Sequence, residues 1–152
     1  TLASLRGQWL LVSVAGGACA KPCADHLYMQ RQLRETLGKE KDRLDWVWLV
    51  SDDAPLAPEL LARLTDPAMK GSGFQSLRVK ESELTAWLQG GAERLYLIDP
   101  QGNYMMRFPE NMSIEQAAKA KADISRLLRA SSFWDTPGRE NVKLAAPKRA
   151  AP

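Results

Sequence analysis

Gln8-Trp-Leu-Leu-Val-Ser-Val14, then Ala15-Gly-Gly-Ala18, then Cys19-Ala-Lys-Pro-Cys23 is the stretch on which the fold turns. Leu10 to Val14 is a continuous apolar run, and Gly16-Gly17 ends it, so it reads as a buried strand followed by a loop. Pro22 suits the first turn of a helix, where its missing N–H has no partner to lose. Leu27, Gln30, Leu33 and Leu37 then recur at helical spacing until Gly38 stops the run. The unit is strand, loop, helix, and both cysteines of the chain lie in its connection.

The same alternation continues to residue 130. Asp45-Trp-Val-Trp-Leu-Val50 is a second buried strand. A helix of about ten residues is expected after it, opened by Pro55 and Pro58, carrying Leu60, Leu61 and Leu64, and closed before Pro67. Gly71 to Gly73 is loop and Phe74 to Val79 a third strand. Glu81 to Leu88 is a short helix before Gly90-Gly91. Arg94 to Asp99 and Tyr104 to Phe108 form a hairpin around Pro100-Gln-Gly-Asn103, whose Gly and Asn tolerate positive φ. Ser113 with Gln116 is a capping box opening a last helix, in which Ile114, Ala117, Ile124, Leu127 and Leu128 are expected to turn inward. The order β-α-β-α-β-α-β-β-α predicts an α/β fold: a mixed sheet of about five strands with helices on both faces and an antiparallel hairpin at the edge.

The chain has 152 residues, 45% hydrophobic and 26% charged, the composition of a folded globular domain. Its formal charge is +3. That surplus sits wholly in the Ala- and Pro-rich end of the chain, while residues 1–138 are neutral with their signs interspersed. A phosphate-binding face needs clustered Lys and Arg, so no nucleic-acid partner is expected. One domain, 1–132, followed by a disordered basic tail, 133–152, is the predicted organisation. The longest mainly apolar run, Trp9 to Ala20, is broken by Ser13 and the glycines and is too short to span a bilayer. The chain opens on Thr1, and any membrane attachment is expected through an N-terminal anchor since removed.

Chemistry concentrates at Cys19 and Cys23. Reaction sites in α/β sheets gather at the carboxyl ends of strands. The partial positive charge of a helix N-terminus and the cation of Lys21 both favour a thiolate. Cys19, in the loop, is expected to be the exposed attacking sulfur, Cys23 the resolving one, with Pro22 shaping the turn. A four-residue step suits helix packing or metal binding as well as redox chemistry. Cys19, Cys23 and His26 would share one face if the stretch were helical throughout, and two thiolates with an imidazole suit Cu(I) or zinc. Asp52 and Asp53 are candidate paired acids, with helix-entry capping the simpler role. Trp46, Trp48 and Trp87 read as packing residues, and Met105 and Met106 face opposite sides of a strand, against a joint thioether site. No phosphate loop, dinucleotide fingerprint, haem-attachment motif or Ser-His-Asp layout occurs.

Four stretches together resemble the Sco/SenC family: Leu5-Arg-Gly-Gln-Trp-Leu-Leu-Val12, Cys19-Ala-Lys-Pro-Cys23, Leu49-Val-Ser-Asp-Asp-Ala-Pro55 and Leu95-Tyr-Leu-Ile-Asp-Pro-Gln-Gly102. The likeness runs from about residue 5 to 130. It implies a thioredoxin-like fold and a role in cytochrome c oxidase assembly. It also implies a periplasmic location tethered to the inner membrane, and a protein partner bearing a disulfide or copper site, such as an oxidase subunit. Family members hold copper with the two motif cysteines and a histidine just before the late hairpin. Cys19 and Cys23 match that pattern. The histidine does not, because Gly90-Gly-Ala-Glu-Arg-Leu-Tyr96 contains none, and Ala24 stands where a Pro often follows the second cysteine. The departure favours dithiol–disulfide exchange. Copper(I) carriage by Cys19 and Cys23, with His26 or an external ligand, stays open, as does a binding module whose disulfide is only a staple.

Overall fold

The computed structural model describes residues 2–19, 21–64, 66, 73–88, 95–109 and 112–132. The 133–152 tail expected to be disordered lies outside the described residues, as do the Gly90-Gly91 break and most of the loop before residue 74.

Five strands form one sheet: β1 (Trp9–Ala15), β2 (Leu44–Val50), β3 (Phe74–Arg78), β4 (Leu95–Ile98) and β5 (Tyr104–Phe108). Their spatial order is β3-β2-β1-β4-β5. β1 pairs parallel with β2, and β2 parallel with β3, whereas β4 runs antiparallel to both β1 and β5. The sheet is therefore mixed, as expected, with the hairpin attached through β4 and only β5 left at that edge. β1 and β2, the two continuous apolar runs, are buried at every residue because both faces of the central strands are covered.

The helices are α1 (Lys21–Glu35), α2 (Pro58–Leu64), α3 (Glu81–Leu88) and α4 (Ile114–Ala130). Alternation in the strands sorts side chains to two faces. Leu10, Val12 and Val14 join Val47, Leu49, Tyr96 and Ile98 against Leu84, Trp87 and Leu88 of α3. On the other face Trp9 and Leu11 meet Leu33 of α1 and Ala120, Ile124 and Leu128 of α4. Trp46 and Trp48 pack there with Cys23 and Leu27. The tryptophans are core residues, as read from the sequence; the Trp87 indole donates to the Gly102 carbonyl at 2.9 Å and so ties α3 to the hairpin turn. Asp99 shapes that turn, accepting from the Asn103 N–H at 2.8 Å and the Gln101 N–H at 3.0 Å.

The Ser113–Gln116 capping box is formed in both directions. Two expectations fail. Ile114 is 90% exposed rather than inward: it lies six residues before Ala120, about 240° around the helix from the buried line of Ala120, Ile124 and Leu128. α2 has seven residues, not ten. Pro55 and Pro58 each bias the residue before them away from helical geometry, so no helix begins ahead of Pro58.

A dithiol motif clamped at the end of strand β1

The first strand delivers its carboxyl end to a tight loop, and α1 leaves from it. α1 is pinned to the sheet by buried polar side chains. The Gln30 amide donates to the carbonyls of Leu11 at 2.7 Å and Val47 at 2.9 Å, and Arg34 Nε donates to the Leu44 carbonyl at 2.7 Å. These bonds fix where the first turn of α1 stands relative to β1.

Cys19 and Cys23 are joined in a disulfide, with their Cα atoms 5.0 Å apart. Cys23 is inside the helix and 2% exposed, packed with Leu27, Trp48 and Val50. Cys19 precedes the helix, is half-buried, and has φ of +46°, the left-handed region that a side chain other than glycine seldom adopts. Its N–H donates to the Gly16 carbonyl at 3.1 Å. Cys19 is thus less buried than Cys23, but half-buried rather than exposed as the sequence reading expected. Lys21 and Pro22 lie in the first turn of α1, and the side-chain role expected of Lys21 falls outside the described residues.

His26 is on α1 and buried, 5% exposed. Because Cys19 stands outside the helix, the three residues do not form one helical face. Among the described residues no group of three or more His, Cys, Asp or Glu side chains is arranged to hold a metal ion. The two sulfurs are donors suited to a soft metal, available as thiolates only after reduction.

Asp52 does not cap α2, which begins six residues later. One of its carboxylate oxygens accepts from the Gly17 N–H at 2.9 Å and from the Ala54 N–H at 3.0 Å. The register explains the reach: Ala15 stands opposite Val50 in the parallel pair, which sets Gly17 beside Asp52. Arg78, at the end of β3, donates to the Asp52 carbonyl at 2.7 Å. The cysteine loop is therefore clamped to the end of β2, and β2 to β3. Asp53 is exposed. A Cβ on Gly17 would strike the Ala54 backbone carbonyl, which cannot swing aside, whereas one on Gly16 would meet the Asp52 carboxylate and displace it from the clamp. The Gly-Gly pair after the first strand was the sequence signal for this close approach.

The Gly17 and Ala54 N–H bonds, with Arg78 nearby, hold the Asp52 carboxyl below its ordinary range. A depressed carboxylate contributes stability above its unfolded value, near 4, that is lost as pH falls through the folded value. The melting-temperature gap between wild type and Asp52→Asn is accordingly expected to be widest at pH 6 and to narrow below about pH 4. A gap that stays constant from pH 6 to pH 3 would show that the carboxylate charge has no part in the clamp.

The fold and the paired cysteines at a strand end define a thioredoxin-like domain with a dithiol motif. Residues 9–131 match the family described as transmembrane-like, thioredoxin-like, C-terminal domain, and the chain belongs to that family. Among solved structures it is similar to copper-bound yeast Sco1, at 19% identity with a TM-score of 0.62, over 85% of this chain and 83% of that one. Copper-bound ScoI of Arabidopsis thaliana is similar at 12% identity and a TM-score of 0.61, over 85% and 89%. A SCO1/SenC family lipoprotein of Bacillus anthracis gives 17% and 0.60, over 86% and 84%. The Sco-like, thioredoxin-like fold expected from the sequence is thus the fold observed. No curated protein sequence is significantly similar to the chain. No helix among the described residues is long and apolar enough to cross a membrane.

Proposed function

We propose that the protein exchanges disulfides with a partner protein on the outer side of a membrane to which it is tethered, in the assembly of a copper site such as that of cytochrome c oxidase. The observation that carries this is the Cys19–Cys23 disulfide itself, half-buried at its first sulfur and sheltered at its second, at the end of β1. In the reduced protein the Cys19 thiolate attacks one sulfur of a partner disulfide. That S–S bond breaks, and the departing partner thiolate takes a proton from water. Cys23, losing its own proton, then attacks Cys19 Sγ, and the second partner sulfur leaves and is protonated. Two electrons pass from the dithiol to the partner, and the chain returns to the disulfide form. The start of α1, at Lys21, stabilises the thiolate. The copper-bound and lipoprotein relatives, and the family's transmembrane-like description, support the setting.

The test is stopped-flow reaction of the dithiothreitol-reduced, desalted chain with a small aromatic disulfide. Release of two equivalents of aromatic thiol per protein, with reformation of the Cys19–Cys23 bond, is the expected result. Failure to react, together with a disulfide potential below about −300 mV, would mark the pair as a structural staple instead.

Copper(I) cargo is the second reading, favoured by two cysteines four residues apart with their Cα atoms 5.0 Å from each other. Anaerobic titration of the reduced chain is expected to give one Cu(I) held by two thiolates, and a Cys23→Ser variant to lose it. Stoichiometric Cu(I) binding that survives Cys23→Ser would place the metal elsewhere.

A further inference from the structure

Beside the disulfide, α1 and α2 enclose a groove of about 160 Å³. Its floor is apolar: Leu27 of α1, Trp46 of β2 and Leu60 of α2. Leu27, Leu60 and Trp46 belong to the cluster that also packs Cys19 and Cys23, so floor and disulfide are continuous. Its rim carries Tyr28, 66% exposed, with the two cations Arg31 and Arg63, and among the described residues no carboxylate lines it. Tyr28 and Arg31 lie five and eight residues beyond Cys23, about 8 and 12 Å along the helix axis.

We infer that this groove binds a segment of the partner polypeptide with one large apolar side chain flanked by Asp or Glu. The apolar side chain fills the cavity against Trp46, Tyr28 stacks over it, and Arg31 and Arg63 pair with the flanking carboxylates. An exposed aromatic beside paired arginines is the composition of an interface anchor. The concave apolar floor favours a peptide over a lipid surface, which two cations alone hold weakly. The inference deepens the exchange reading by naming what recognises the partner, and it rests on that reading for its purpose.

Two probes separate the claims. A cysteine-free, fluorescein-labelled ten-residue peptide, with a Leu-Leu pair between Asp and Glu residues, reports on the groove by anisotropy with the full chain. The small aromatic disulfide reports on exchange alone. The double variant Arg31→Glu/Arg63→Glu is expected to bind the acidic peptide about tenfold more weakly, and a Lys-flanked peptide more tightly than wild type does. Tyr28→Ala is expected to weaken both. Equal affinity of wild type and the double variant for the acidic peptide overturns the inference, whatever the exchange assay gives. So does sedimentation with phosphatidylglycerol vesicles that the double variant loses, if neither protein binds the peptide. Absence of exchange with the small disulfide, with peptide binding as expected, overturns the exchange reading and leaves the groove supported.

Discussion

A Cys19→Ser variant, reduced and mixed with a small aromatic disulfide, is expected to react slower than wild type by about three orders of magnitude or more. A hydroxyl at neutral pH is almost wholly protonated and is a poor nucleophile towards sulfur, whereas a thiol at a helix start ionises readily. Cys23 is 2% exposed and packed against Trp48, so it cannot substitute as the first attacker without opening the loop. Cys23→Ser therefore has a different signature. It should react in a first step at close to the wild-type rate, release one equivalent of aromatic thiol, and stop as a mixed disulfide on Cys19. Mass spectrometry identifies that adduct. If Cys19→Ser and Cys23→Ser are equally slow in the first step, the assignment of attacking and resolving sulfurs is wrong.

The second large effect concerns the clamp. Gly17→Ala is expected to cost about 2 to 3 kcal/mol, lowering the melting temperature by roughly 10 °C. The added methyl meets the Ala54 carbonyl oxygen and carbon, which are backbone and cannot swing aside. Relief requires the β1–α1 loop and the β2–α2 loop to part, which breaks the Gly17–Asp52 bond and releases the loop that holds Cys19 at positive φ. Exchange should change along with stability. Gly38→Ala is the control: φ there is +61° but nothing lies within 4 Å, so only backbone strain of about 1 kcal/mol is expected. Similar melting temperatures for the two variants would show that the loops at the cysteine site are not tightly packed.

Much of this was legible in the chain because the signals are local. The Glu81–Leu88 helix and the Tyr104–Phe108 strand have the bounds their periodicity implies, and the capping box at Ser113 needs only the residues within one turn. The cysteine pair is local too, four residues apart, and its place between a strand and a helix follows from the Gly-Gly break and Pro22. The differences arise where helix phase or a remote partner decides. Ile114 continues an apolar pattern but falls off the buried line. From its neighbours alone Asp52 suits a helix-entry cap or one of a pair of acids. Besides the local Ala54 N–H, its carboxylate accepts from Gly17, thirty-five residues earlier.

The sequence by itself determined the alternation of strands and helices, the strand–loop–helix entry and the position of the dithiol within it. Each depends on side-chain periodicity or turn chemistry over a dozen residues or fewer. Only the tertiary structure decided that β1 lies inside the sheet between β2 and β4, that Asp52 closes on the cysteine loop, and that α1 and α2 leave a groove rimmed by Arg31 and Arg63. Those depend on strand register and on which helix faces meet. A shift of one residue in the β1–β2 pairing would carry Asp52 away from Gly17 without altering any local signal.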